Sequence, residues 1–116
     1  MIKIAFCDDD LSVLKELSIL MDRYRVERNQ DITYAAFHSP LELLAEMENG
    51  LHPDVLLLDV IMPVMDGFEM LRNMALRQWR ERIPVVLITS ENSDDALLRG
   101  YELGVSDIIN KPFNPN

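Results

Sequence analysis

The chain has 116 residues, 48% of them hydrophobic, which suits one domain with its own core and is too apolar for a disordered segment. Eleven basic against twenty acidic side chains leave a formal net charge of −9, which argues against a nucleic-acid grip by this segment itself, though not by a DNA-binding domain attached beyond Asn116. Cys7 is the single cysteine, so no internal disulfide framework and no multi-cysteine metal site can be built; a reduced, cytoplasmic setting fits, with Cys7 as filler in the core.

The first apolar run, residues 2–7, predicts a strand. Asp8 cuts it too short for a signal peptide, and no later stretch is long enough to cross a bilayer. From Ser12 to about Arg28 the spacing turns helical, with Val13, Leu17, Leu20 and Tyr24 on one face and Leu14 and Met21 beside them. Residues 31–37 predict a second strand. Ser39, Pro40 and Glu42 form a helix start, in which Ser39 caps, Pro40 takes the first helical position and Glu42 completes a capping box; Gly50 ends that helix. Residues 54–59 are apolar without alternation, as in a parallel strand covered on both faces. After a short loop, Gly67 opens a helix with Phe68, Leu71 and Ala75 on one stripe and Trp79 at its frayed end. Pro84 starts a fourth strand through Thr89. Asn92 or Ser93 caps a helix to about Leu103, Gly104 stops it, and residues 105–109 make a fifth strand. Strand and helix alternate, which predicts a three-layer α/β domain with helices on both faces of a parallel sheet. A fifth helix is expected where the sequence stops. The segment therefore reads as a piece of a longer chain or one resolved in part, in preference to a domain covered by a partner.

In an open parallel sheet, sites form beyond the carboxyl ends of the strands. Those ends carry Asp8 and Asp9, then Asp59, then Thr89 and Ser90, then Lys111. Taken singly, each has an ordinary explanation: an acid after a strand caps a helix or shapes a turn, Thr89 ends a strand, and Lys111 is a solvated lysine. Together they differ. Three carboxylates in one crevice repel and need a hard divalent cation such as magnesium, which takes oxygen ligands. A lysine and a hydroxyl complete a set suited to phosphoryl transfer, with Asp59 as nucleophile. Asp66, before Gly67, reads as turn chemistry. His38 and His52 fall outside the crevice. The loop after strand one is acidic and has no Gly-rich phosphate cradle, which argues against a dinucleotide fold.

FCDDD at 6–10, LLLDVIMPVMDG at 56–67, VVLITS at 85–90 and KPF at 111–113 resemble the receiver domains of two-component response regulators, the CheY-like family, over all the residues present. The resemblance implies a doubly wound (βα)5 fold with strand order 2-1-3-4-5. It implies that Asp59 accepts phosphate from a histidine kinase or phosphotransfer protein, and that magnesium, with manganese as a substitute, is held by Asp9 directly, Asp8 through water, Asp59 and the Ile61 carbonyl. Thr89 would hydrogen-bond the phosphoryl group, Lys111 would ion-pair with it, and the Lys111–Pro112 bond would be cis. An effector domain beyond Asn116 or a downstream protein would be the output; the absent fifth helix leaves a homodimer open. The family's aromatic switch position, three residues before Lys111, holds Ile108, so coupling is expected through packing of Ile108 against the helix near Tyr101. A phosphatase with an aspartate nucleophile would need an acid-base residue where Ile61 stands. A phosphorylation-independent interaction module would not need the full set of acids, Thr89 and Lys111, and a purely structural domain leaves the acids unexplained.

Overall fold

The computed structural model describes residues 1–60, 65–77, 79, 83–89 and 94–110, with the backbone alone for 94–97. Within them the chain runs β1 (Ile2–Cys7), α1 (Leu11–Glu27), β2 (Ile32–Phe37), α2 (Pro40–Glu48), β3 (Val55–Asp59), α3 (Gly67–Leu76), β4 (Val85–Thr89), α4 (Asp94–Glu102) and β5 (Asp107–Asn110). The strands form one sheet in the order β2-β1-β3-β4-β5, and every pair is parallel. This is the expected doubly wound architecture. Among the described residues no helix is long and apolar enough to cross a membrane.

The two-residue period of the strands sends alternate side chains to two cores. Phe6 and Ile88 face α1, where they meet Val13, Leu14 and Leu17. Ala5, Cys7, Leu56, Leu58 and Leu87 face the other way, toward Leu43, Leu44 and Met47 of α2 and Phe68, Met70, Leu71 and Met74 of α3. Two buried faces explain why β3 is apolar without alternation. The helical faces differ in detail from the expected stripes. Tyr24 lies near the end of α1, where the sheet no longer covers it, and is exposed; in α3 the buried position is Met74 and Ala75 is exposed.

Ser39 caps α2 through Leu41 N–H (3.2 Å), with Pro40 in the first turn. The expected capping box is not closed, because the Glu42 carboxylate meets His38 Nδ1 instead, at 3.1 Å. Three helices end in the same Schellman arrangement. Asn29, Gly50 and Gly104 hold the left-handed position, with φ of 50°, 110° and 84°. The following N–H groups of Gln30, Leu51 and Val105 reach back to the carbonyls of Arg25, Glu46 and Gly100. At the last of these the cap delays β5. Val105 completes the helix end and packs into the core, Ser106 N–H bonds the Val85 carbonyl (2.8 Å), and strand geometry begins only at Asp107. Trp79 lies just past α3, half-buried, its N–H on the Met74 carbonyl at 2.9 Å. The Asn92 or Ser93 cap lies outside the described residues.

Gly67 is needed for close approach. Its N–H donates to the Val60 carbonyl at 2.8 Å, and a Cβ there would stand 2.6 Å from the Asp59 carbonyl oxygen and 3.0 Å from Val60 Cα. Backbone cannot yield as a side-chain tip can. Gly67→Ala is therefore expected to cost about 1–3 kcal/mol, read as a lowered urea midpoint at unchanged slope.

Candidate functional site

The acids gather where the strand order reverses. β1 and β3 are neighbours, the chain leaves them toward opposite sides of the sheet, and the gap beyond their carboxyl ends is the crevice of a doubly wound fold. Asp8 follows β1 and is buried. Its N–H donates to the Phe37 carbonyl (3.0 Å), and its Oδ1 accepts from Asp10 N–H (2.9 Å). Asp59 is the last residue of β3 and is also buried. The chain beside it is held by Val60 N–H on the Ile88 carbonyl, at 2.9 Å. Asp9, between Asp8 and the helix, is exposed. One carboxylate oxygen from each of Asp8, Asp9 and Asp59 lies within 4.8 Å of the others. Asp10 is the N-cap of α1. Its Oδ1 accepts from Ser12 N–H (2.9 Å) and Ser12 Oγ–H (2.7 Å), so its carboxylate serves the helix. Asp66 likewise caps α3 through Glu69 N–H (2.8 Å), which is the turn chemistry its place before glycine predicts.

Opposite ligands of an octahedral magnesium ion stand about 4.2 Å apart, at about 2.1 Å each. Three oxygens already within 4.8 Å need only small rotations, or one intervening water, to reach that spacing. The donors are all carboxylate oxygens, which suits a hard divalent cation better than zinc or copper. The cluster therefore fits a cation of the magnesium class.

Thr89 ends β4 and is buried. It stands one strand over from Asp59, whose register partner is the preceding residue, Ile88. Ile61 and Lys111, expected at the site, lie outside the described residues, as do Ser90 and the Lys111–Pro112 bond. His38 was expected outside the crevice. It directly follows Phe37, whose carbonyl receives Asp8 N–H, and so it stands at the same end of the sheet as the acids. Its partner Glu42 adds a fourth negative charge near them. Nothing in the spacing of 38 and 42 signals this, because it depends on the pairing of β2 with β1.

The electrostatic consequence is visible at Cys7. Burial, and then the charges of Asp8, Asp59, Asp9 and Glu42, push its thiol from the ordinary 9.0 up to about 12. The folded thiol keeps its proton across a range where the unfolded one has lost it. This contribution to stability is complete below pH 9 and disappears as pH rises from 9 toward 12. At pH 8, iodoacetamide is expected to leave Cys7 of the folded protein unmodified and to label it readily in urea, as read by intact mass.

The model of the response regulator receiver domain matches residues 4–116. The chain is 32% identical over 114 residues to the alkaline phosphatase synthesis transcriptional regulatory protein PhoP of Bacillus subtilis, covering 97% of this chain and 43% of that protein. It is 33% identical over 105 residues to the transcriptional regulatory protein AfsQ1 of Streptomyces coelicolor, covering 90% and 41%. It thus spans less than half the length of these curated relatives. Among solved structures, the BeF3-activated DrrB receiver domain superposes with a TM-score of 0.80 at 30% identity, covering 99% of this chain and 88% of that one. The chemotaxis protein CheY4 of Vibrio cholerae gives 0.80 at 28% identity, covering 99% and 90%.

Removing one charge from the cluster relieves repulsion and removes a candidate ligand. Asp9→Asn is expected to raise stability in divalent-free buffer by about 1 kcal/mol. It should weaken magnesium binding by about tenfold or more, since outer-shell partners alone contribute that much. Urea unfolding and calorimetric titration read the two effects separately.

Proposed function

The chain belongs to the response regulator receiver domains, and on that premise we propose that Asp59 is the residue that takes up a phosphoryl group, with Asp8 and Asp9 holding a magnesium ion beside it. The observation that supports this most is the meeting of carboxylate oxygens from two strand ends within 4.8 Å. A receiver domain is not a turnover enzyme; it promotes its own phosphorylation and the later loss of the phosphoryl group.

Asp59 sits at a strand tip because a strand held on both sides cannot swing, so its carboxylate faces one point. Attack by its oxygen on the phosphorus of a phosphohistidine forms an O–P bond as the N–P bond breaks, giving an acyl phosphate. A bound magnesium ion, or manganese in its place, would supply neutralisation of the carboxylates and of the charge developing on the phosphoryl oxygens. Asp8, Asp9 and Asp59 would hold the ion, together with the backbone carbonyl of Ile61. The Thr89 hydroxyl donates to a phosphoryl oxygen, and the Lys111 ammonium pairs with another. The altered contacts shift the population of the β4–α4 region toward a signalling surface, and water then cleaves the acyl phosphate. The donor is a histidine kinase or a phosphotransfer protein. The recipient of the signal is an effector domain of the same protein, a downstream protein or a second copy of the chain.

Intact mass after incubation with acetyl phosphate tests this. Addition of one phosphoryl group is expected with magnesium, none with a chelator, and none in Asp59→Asn under either condition. Phosphorylation persisting in Asp59→Asn would refute the assignment. Lys111→Ala is expected to impair switching more than calorimetric magnesium binding.

A further inference from the structure

We propose that helix α4 is tied to the phosphoacceptor strand through Phe68, whose ring links the backbone of Asp59 to Arg99 of α4, so that α4 follows events at Asp59 by a route that bypasses β5. The coupling rests on Asp59 being the acceptor; its path rests on three contacts.

The first contact is backbone on backbone. With no Cβ at Gly67, the first turn of α3 lies directly against the Asp59 carbonyl, at a spacing that would put an added methyl 2.6 Å from its oxygen. Gly67 N–H on the Val60 carbonyl (2.8 Å) and the Asp66 cap on Glu69 N–H (2.8 Å) pin that turn. A shift of the Asp59 peptide is therefore passed to Phe68, the next residue along. The second contact is the ring itself. Phe68 is 4% exposed and close-packed with the α2–α3 core, so it turns with its helix. The Arg99 guanidinium carbon stands 4.3 Å from its ring centroid, within cation–π range.

The third contact seats α4 on the sheet. A Cβ at Gly100 would stand 2.9 Å from Ile108 Cδ1 and 3.1 Å from Leu87 Cδ1, so the helix rests against these side chains without one of its own between. Ile108 packs against the helix near Tyr101, as expected, at the adjacent Gly100, and Tyr101 itself is 53% exposed. This seat is apolar, and apolar contact is non-directional, so it does not by itself fix where α4 lies. The Arg99–Phe68 stack is directional, because a cation is attracted to the ring face and not to its edge. One anchor leaves the position of α4 open and the other makes it follow Phe68.

Hydrogen exchange of residues 94–103, read by mass spectrometry on samples whose phosphorylation is checked by intact mass, tests the route. Acetyl phosphate with magnesium is expected to change exchange in this segment of the wild type by about fivefold or more. In Arg99→Ala the same phosphoryl group should be added, but the change should fall below about twofold. Phe68→Leu, which keeps most of the core volume and lacks the ring face, should behave alike, and Arg99→Lys, which keeps the charge, should respond in between. Addition of the phosphoryl group with a wild-type exchange response in Arg99→Ala would overturn the proposal while leaving Asp59 as acceptor. Absence of phosphoryl addition in the wild type would overturn both.

Discussion

Three carboxylates held within 4.8 Å of one another constrain everything else in this molecule. At such spacing each pair repels by about 1 kcal/mol in water and more where it is partly dry. A chain of this size is stable by only about 5–15 kcal/mol in total, so the repulsion is a substantial fraction of what the fold can spare. Backbone bonds help to hold the acids in place. Asp8 is held by Phe37 and Asp10, and the peptide after Asp59 by Ile88. Stability comes from the two cores on either side of the sheet, and the like charges gather at one end, in a cluster that fits a divalent cation.

Topology puts those charges where ligands can reach them. Consecutive strands placed on opposite sides of β1 force the connections after β1 and β3 to diverge, and the acids occupy the opening. The negative field reaches back along β1 to Cys7, where it adds to burial in keeping the thiol protonated. Glu42, in contact with His38 just beyond β2, adds its charge to the same field at Cys7. On the far side of Asp59, the absence of a side chain at Gly67 lets α3 press on the strand and carry Phe68 to Arg99. The site is thus joined to its surroundings by charge on one side and by contact on the other.

Much of this is legible in the residues. Apolar runs that end at Asp8, Asp59 and Thr89 place β1, β3 and β4 within a residue or so, and Ser39-Pro40 marks the start of α2 to the residue. The misplaced features share one cause, which is that they are settled by tertiary neighbours. Helical spacing alone cannot choose between Met74 and Ala75, or expose Tyr24; the extent of the sheet beneath decides. Val105 looks like a strand residue because it is β-branched and apolar, yet the cap at Gly104 claims its N–H first. Glu42 has the spacing of a capping box, but His38 competes for it. Gly67 reads as the start of a helix, and only the return of the chain onto Asp59 shows why a methyl group has no room there.

Whether a divalent cation relieves the repulsion among Asp8, Asp9 and Asp59 is tested most directly by calorimetric melting across a series of magnesium concentrations. Binding to the folded state alone should raise the melting temperature steadily with the logarithm of free magnesium once the site saturates. A melting temperature indifferent to magnesium up to tens of millimolar, at constant ionic strength, would contradict such relief.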